Sequence, residues 1–335
     1  MSEKNITMQM IADQLGITKV SVSKALNNQP GVSEQLKKKI LEVSYKMGYT
    51  KNKNDGKVSN IKKLGFLLPK RFFIESESFY TIIYYYLSKQ CAFQNINLVL
   101  YIISSHDEEN LAFPFSLEQD KIDGLFIAGE VANTYIHSVL NFNIPIVAID
   151  FYMPNMTIDS IVTDNFYASY LATMYLINKG HKDIGFVGNP NYTSSIMDRH
   201  YGYLKALNQN NLIYNKDWHI INNDLYGIYT HDYNLPGTLP TAFVCHCDMA
   251  AYQLMLKLQS QGVAIPDQVS LVSFDNTELS SNCIPKLTTV DINKKEIASK
   301  SFQQMLWRIS HLQLEPQRSF LSTNLIERES VKNLL

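Results

Sequence analysis

Two aspartates and one arginine stand where side chains can converge on a ligand. Asp150 follows the apolar run 146–149 and Asp275 follows the run 269–274. Both runs read as buried strands, and in open α/β sheets the ends of strands line the cleft. Arg199 falls on the first turns of a helix after the loop 189–195. Carboxylates and a guanidinium make paired hydrogen bonds to vicinal hydroxyls, the surface that a sugar presents. A second group lies near the N-terminus, where Thr18 precedes Lys19, Val20, Ser21, Ser23 and Lys24. Lysine can donate to guanine or to phosphate, and valine can touch the thymine methyl. The hydroxyls of Thr18, Ser21 and Ser23 suit phosphate contacts.

Other chemistries lack their residues. No glycine-rich phosphate cradle follows a strand, and no nucleophile elbow is present. No catalytic residue is assigned and no enzyme is expected. Cys245, His246, Cys247 and Asp248 have metal-ligand character, but alternate residues of a strand point to opposite faces and no second cluster completes a site. The four cysteines are therefore expected to be buried thiols, with no metal and no cofactor. His181, in Lys179-Gly180-His181-Lys182, is expected to pack rather than act as a base.

These residues need elements to hold them. Thr7, Thr18 and Ser33 can each cap a short helix, and Gly16 can end the first by taking positive φ. Ile11, Ala12 and Leu15, then Val22 and Leu26, then Leu36, Ile40, Val43 and Met47 give these helices apolar faces, and Gly48 ends the third. Two short helices across a glycine turn form a helix-turn-helix, whose second helix offers its N-terminal residues to the major groove. Charge agrees with this. Residues 1–63 hold twelve lysines against five acids, a formal +7, whereas the rest carries 18 basic and 26 acidic residues, a formal −8. A basic head on an acidic body points to a polyanionic partner. No signal peptide or membrane span is read, so the cytoplasm is expected and no membrane contact.

From residue 64 onward, apolar runs alternate with helical stretches. Strands are expected at 64–68, 98–103, 122–127, 144–149, 184–187, 218–221, 242–245 and 269–274, with helices at 79–93, 132–142, 165–179, 247–261 and 293–310. Repeated βαβ units imply a doubly wound α/β architecture, and two such blocks imply two Rossmann-like lobes around a cleft.

Residues 7–52 closely resemble the head of the LacI/GalR family without gaps, through Thr7, Ala12, Gly16-Ile17-Thr18, Val22-Ser23-Lys24, Leu26-Asn27, Val32-Ser33 and Gly48-Tyr49. The body resembles the same family, and through it the periplasmic sugar-binding proteins. It does so at Asp123-Gly124, Thr163-Asp164-Asn165, Gly180-His181, Arg199-His200-Tyr201-Gly202, the run 269–275, Leu287-Thr288-Thr289 and Glu327-Arg328-Glu329-Ser330. The resemblance implies DNA contacts from Thr7, Thr18, Lys19, Val20, Ser21, Ser23, Lys24 and Asn27. It also implies effector contacts from Phe79, Tyr80, Asp150, Arg199 and Asp275, with Asp164 capping a helix. Three departures stand out. Lys24 replaces the family's usual arginine. Cys247 stands where the family has an asparagine that contacts ligand. The stretch 224–239 is short, so that a loop is expected there.

The resemblance implies a sequence-specific DNA-binding transcriptional regulator, expected to be a repressor, under a sugar-like effector bound between two lobes. A cytosolic sugar-binding protein with weakened DNA control is the alternative. The expected domains are a helix-turn-helix at 1–50, a linker at 51–63 and an effector and dimerisation domain at 64–335. Within the last, the N-lobe takes about 64–160 and 292–320, and the C-lobe about 161–291 and 321–335. The linker lacks the leucine that the family wedges into the minor groove, so little DNA bending and weak coupling are expected. Only 331–335 follow the Glu-Ser ending, too short for a coiled coil, so a homodimer on a double-stranded operator is expected.

Overall fold

Each of the first three helices is started by a hydroxyl. The backbone N–H groups at a helix start have no partner within the helix, and a capping side chain meets one of them. Thr7 Oγ1 accepts from Met10 N at 3.3 Å, Thr18 Oγ1 from Ser21 N at 3.2 Å and Ser33 Oγ from Leu36 N at 3.3 Å. They open α1 (Met8–Leu15), α2 (Lys19–Leu26) and α3 (Glu34–Lys46). Gly16, at φ 64, ends α1. The turn it permits lets Ile11, Ala12, Val22, Ala25 and Ile40 meet in one core, with Leu15, Leu26, Leu36 and Val43 against it. The computed structural model describes residues 7–26, 31–46, 61–73, 79–153, 155, 157–222 and 233–335. Asn27, Met47, Gly48 and the linker to residue 60 lie outside them, as does most of the shortened stretch. The chain divides into two units, Met1–Asn60 and Ile61–Leu335.

The second unit holds two six-stranded sheets. The first has the order β11 (Arg318–Leu321), β5 (Asp159–Thr163), β4 (Ile146–Ile149), β3 (Gly124–Ala128), β1 (Lys63–Pro69), β2 (Asn97–Ile103). The second has the order β12 (Asn324–Ile326), β10 (Thr288–Asp291), β9 (Ser270–Phe274), β8 (Ala242–Cys245), β6 (Ile184–Val187), β7 (His219–Ile220). All pairs are parallel except β10 with β12. Parallel strands need crossover connections, and helices supply them. The α-helices of this unit are α4 (Phe79–Phe93), α5 (Ser105–Glu109), α6 (Phe115–Gln119), α7 (Asn133–Val139), α8 (Asn165–Asn178), α9 (Ser194–Gln209), α10 (Asp248–Ser260), α11 (Glu278–Asn282) and α12 (Lys294–Ser310) among the described residues. The two-lobed, doubly wound α/β class expected from the sequence is the fold.

Four strands hold at most two apolar residues each, too few for the apolar runs expected of strands in the sequence: β5, β10, β11 and β12. They are short and polar, and they lie where the chain passes between the sheets. It does so after Thr163, after Asp291 and after Leu321. Asp159 and Ser160 of β5 and Thr288 and Thr289 of β10 are buried, and partners distant in sequence satisfy them. Asp159 is the clearest case. Arg308 of α12 donates to it twice, from Nε at 2.6 Å and from a terminal nitrogen at 2.9 Å. Gln317 N adds a third bond at 2.7 Å. Arg308 also donates to the carbonyls of His311, Leu314 and Glu315, and so fixes the turn that delivers β11 to β5.

Removing one partner of a buried ion pair leaves the other charge unmet. Asp159→Ala is expected to destabilise the second unit by about 3–5 kcal/mol. Urea unfolding against the parent chain measures this, and a loss below about 1 kcal/mol would contradict the role given to the pair.

Candidate ligand cleft and nucleic-acid helix

Helix α2 is held by one face and offers the other. Val22 and Ala25 sit in the core, while Lys19 and Val20 point outward. Val20 is 63% exposed, an unusual position for a β-branched apolar side chain at a helix start. The Thr18 hydroxyl caps the helix and shares a 3.0 Å hydrogen bond with Ser21 Oγ. The Thr7 hydroxyl is likewise engaged at the start of α1. Ser23 and Lys24 are half-buried along the same helix.

In the second unit, two strands end in the same unusual way. Asp150 follows β4 with φ 69 and Asp275 follows β9 with φ 101. Each backbone N–H is pinned by the neighbouring strand, Asp150 N to Ile161 O and Asp275 N to Val290 O, both at 2.9 Å. Positive φ is costly for a residue with a side chain, and such strain gathers at functional sites. Here it brings both carboxylates to the strand ends.

Arg199 of α9 is 4% exposed. Its Nε donates to Asn165 Oδ1 at 2.8 Å, and one terminal nitrogen donates to the carbonyl of His246. The other stands 3.6 Å from Asp275 Oδ1, and the guanidinium lies 4.5 Å above the Phe274 ring. From the first lobe, Tyr80 Oη donates to Asp150 Oδ2 at 2.9 Å. The structure thus gathers Tyr80, Asp150, Arg199 and Asp275. Phe79 is half-buried against the first lobe's core, edge-on to Tyr80 and 5.6 Å from Lys294 Nζ.

Burial pushes the Asp150 carboxyl up to about 6, although Arg199 and the Tyr80 hydroxyl pull it down. Burial raises Asp275 to about 6 against the same guanidinium. Burial and the Asp150 charge hold the Tyr80 phenol well above its ordinary value.

Sequence reasoning missed the residues that tie the lobes together. Glu130 Oε2 accepts from Ser194 N at 2.6 Å and from Ser194 Oγ at 2.7 Å. A carboxylate at the N-terminus of a helix is favoured by the helix dipole. Tyr152 Oη donates to Asp198 Oδ1 at 3.1 Å. A cavity opens beside these contacts, lined by Arg71, Glu108, Glu130, Asn133, Asn191 and Tyr192. A second cavity lies apart, on the outer side of the second lobe, against Lys182, Leu212, Tyr214, Lys216 and Trp218. Glu130 stands two residues past β3, so the strand-end rule that found Asp150 and Asp275 applied to it as well.

Several residues take the structural roles expected of them. His181 is buried between Thr241 Oγ1 and the carbonyl of Lys332. Asp164 caps α8 by accepting from Tyr167 N. All four cysteines are buried. Cys247 caps α10, its sulfur accepting from Ala250 N at 3.4 Å. Asp248 is a buried tie, which accepts from Ser273, from Thr289 and from the backbone and hydroxyl of Thr277.

Residues 7–52 match the bacterial regulatory proteins of the lacI family, and residues 173–331 match a periplasmic binding protein-like domain. The HTH-type transcriptional repressor PurR of Vibrio campbellii is 24% identical over 335 residues, covering 98% of this chain and 99% of that protein. PurR of Pasteurella multocida is 25% identical over 341 residues, with 98% and 99% covered. Among solved structures, the transcriptional regulator CelR in complex with cellobiose gives a TM-score of 0.68 at 20% identity, over 97% of this chain and 99% of that one. The lac repressor dimer bound to operator and the anti-inducer ONPF gives 0.68 at 19% identity, over 98% and 100%. The chain thus joins a lacI-family helix-turn-helix to a periplasmic-binding-protein-like, two-lobed body, and LacI-family regulators are its homologues and structural neighbours.

Proposed function

We propose that this chain is a cytoplasmic repressor that binds a pseudo-palindromic operator as a homodimer and is controlled by a sugar-like effector held among Tyr80, Asp150, Arg199 and Asp275. The observation that carries the effector site is that carboxylates of both lobes act on one buried guanidinium, Asp275 beside it and Asp150 through its charge. Tyr80 and Asp150 come from the first lobe, Arg199 and Asp275 from the second. A ligand that bonds to both sets favours one arrangement of the lobes, and differential affinity of this kind is what shifts a conformational equilibrium. Two relatives are named as repressors, and the solved neighbours include a cellobiose complex and a regulator with bound ribose. The domains follow as a DNA-binding head at 1–50, a linker at 51–63 and an effector domain from 64 onward.

On the operator, Lys19 and Val20 read base edges, while Thr7, Thr18, Ser21, Ser23 and Lys24 contact the backbone. Asn27 joins them on the resemblance alone. The exposed Val20 side chain supports this assignment, since it has no packing role. Replacing both Lys19 and Val20 with alanine is expected to relax preference at the bases they read by about 1–3 kcal/mol. Lys24→Ala weakens binding across all sequences alike. Anisotropy titrations over a set of single-base operator variants separate the two effects. An unchanged ranking of variants in the double mutant would remove the groove assignment.

For the effector, Arg199→Lys keeps the charge but loses the planar fork. Calorimetric affinity for the effector is expected to fall at least about tenfold, or 1.4 kcal/mol, while operator binding by the ligand-free protein stays within twofold. Unchanged effector affinity would move the site elsewhere.

A further inference from the structure

The cleft has carboxylate oxygens to spare and its positive groups are already engaged. Asp150 is 8% exposed, and its Oδ1 is buried and accepts no hydrogen bond among the described residues. Asp275 meets Arg199 only at 3.6 Å, beyond a full hydrogen bond. The donors near them point elsewhere. Arg199 gives its Nε to Asn165 and a terminal nitrogen to the His246 carbonyl. Lys294 Nζ donates to the carbonyls of Asp275 and Ile292. The Tyr80 hydroxyl is already committed to Asp150. A third carboxylate, Glu130, acts on Asp150 electrostatically and is itself partly desolvated. Among the described residues, Asp150, Asp275 and Glu130 face Arg199 and Lys294, while Arg71, which also acts on Glu130, is paired with Glu108, which leaves one negative charge unmatched.

We propose that the effector carries a positively charged nitrogen, as an amine-bearing sugar does, and that Asp150 and Asp275 take its N–H groups. This rests on the placement of the effector in this cleft and names its chemical class. An ammonium supplies donors for the unused Asp150 oxygen and the missing positive charge together. A neutral sugar supplies only donors, and a sugar phosphate adds repulsion to a buried acidic site.

The pH dependence follows from the groups around each carboxylate. Asp150 is faced by Tyr80 from α4, Arg199 from α9, Asp275 beyond β9 and Glu130 beyond β3. Asp275 is faced by Arg199, by Asp248 of α10 and by Lys294 of α12. Both carboxyls are pushed up to about 6, so each takes up a proton as pH falls below that value. An ammonium ligand needs them ionised. Its affinity is therefore full above pH 7 and declines as pH falls from 6 to 5.

The test uses the full chain and a matched panel: glucosamine, galactosamine and mannosamine, their neutral parent sugars, and the corresponding 6-phosphates. Thermal shift and calorimetry at pH 7.5 and pH 5 read the binding. At least one amino sugar is expected to bind about tenfold or more tightly than its neutral parent. That advantage should shrink at pH 5 and vanish in Asp150→Asn. Asparagine keeps the shape and one acceptor but not the charge, and a melting temperature at or above that of the parent shows that the variant folds. The proposal is overturned if a neutral parent or a phosphate binds as tightly, or if no amino sugar shifts the melting temperature at millimolar concentration. A neutral sugar whose binding is lost in Arg199→Lys would keep the effector site and remove only the charged ligand. Binding indifferent to both substitutions would remove both readings.

Discussion

A guanidinium buried in the second lobe sets the terms for the rest of the cleft. Taking an ion out of water costs several kcal/mol unless partners meet it. Arg199 is met from three directions: Asn165 where α8 begins, the His246 carbonyl just beyond β8, and Asp275 just beyond β9. Each partner sits at the edge of a neighbouring element, so one charge gathers the ends of α8, β8 and β9 to a single point. The Phe274 ring closes one face of the group. Asp248, buried a short way off, ties Ser273, Thr277 and Thr289 and so fixes the backbone on which Asp275 turns. The left-handed conformation of Asp275 persists because both sides of the turn are held.

The first lobe answers with Tyr80 and Asp150, and the two lobes touch through Glu130 with Ser194, Tyr152 with Asp198 and Lys294 with the Asp275 carbonyl. Opening the cleft would break these few polar contacts and bend three crossings of the chain, after Thr163, Asp291 and Leu321. Polar contacts and three chain crossings are the arrangement through which hinged lobes move against each other. Asp159 and Arg308, by contrast, lock the crossing strands β5 and β11 within the first lobe.

Much of this was legible in the sequence, and the exceptions have a common cause. The helix at 79–93 and the strands at 184–187 and 242–245 matched to the residue, because periodicity and apolar runs are local signals. The caps at Thr7, Thr18 and Ser33 were legible for the same reason. Strands β5, β10, β11 and β12 were not, since Asp159 or Thr289 becomes a strand residue only when Arg308 or Asp248 arrives from far along the chain. The same holds within the cleft. Asp150 and Asp275 announce themselves at strand ends and Arg199 in the first turns of a helix, whereas the hold on Arg199 by a backbone carbonyl leaves no trace in residue type. Phe79, expected to face ligand, is half-buried against the first lobe's core beside Lys294, as its neighbour Tyr80 is against the same core.

The most direct test of the central claim is hydrogen exchange on the full chain, with and without a sugar that raises its melting temperature. If the effector sits on Arg199 between the lobes, protection should rise together at 150–153, 192–199 and 274–277, segments that belong to different lobes. Protection confined to 211–218, beside the outer cavity of the second lobe, would contradict the account.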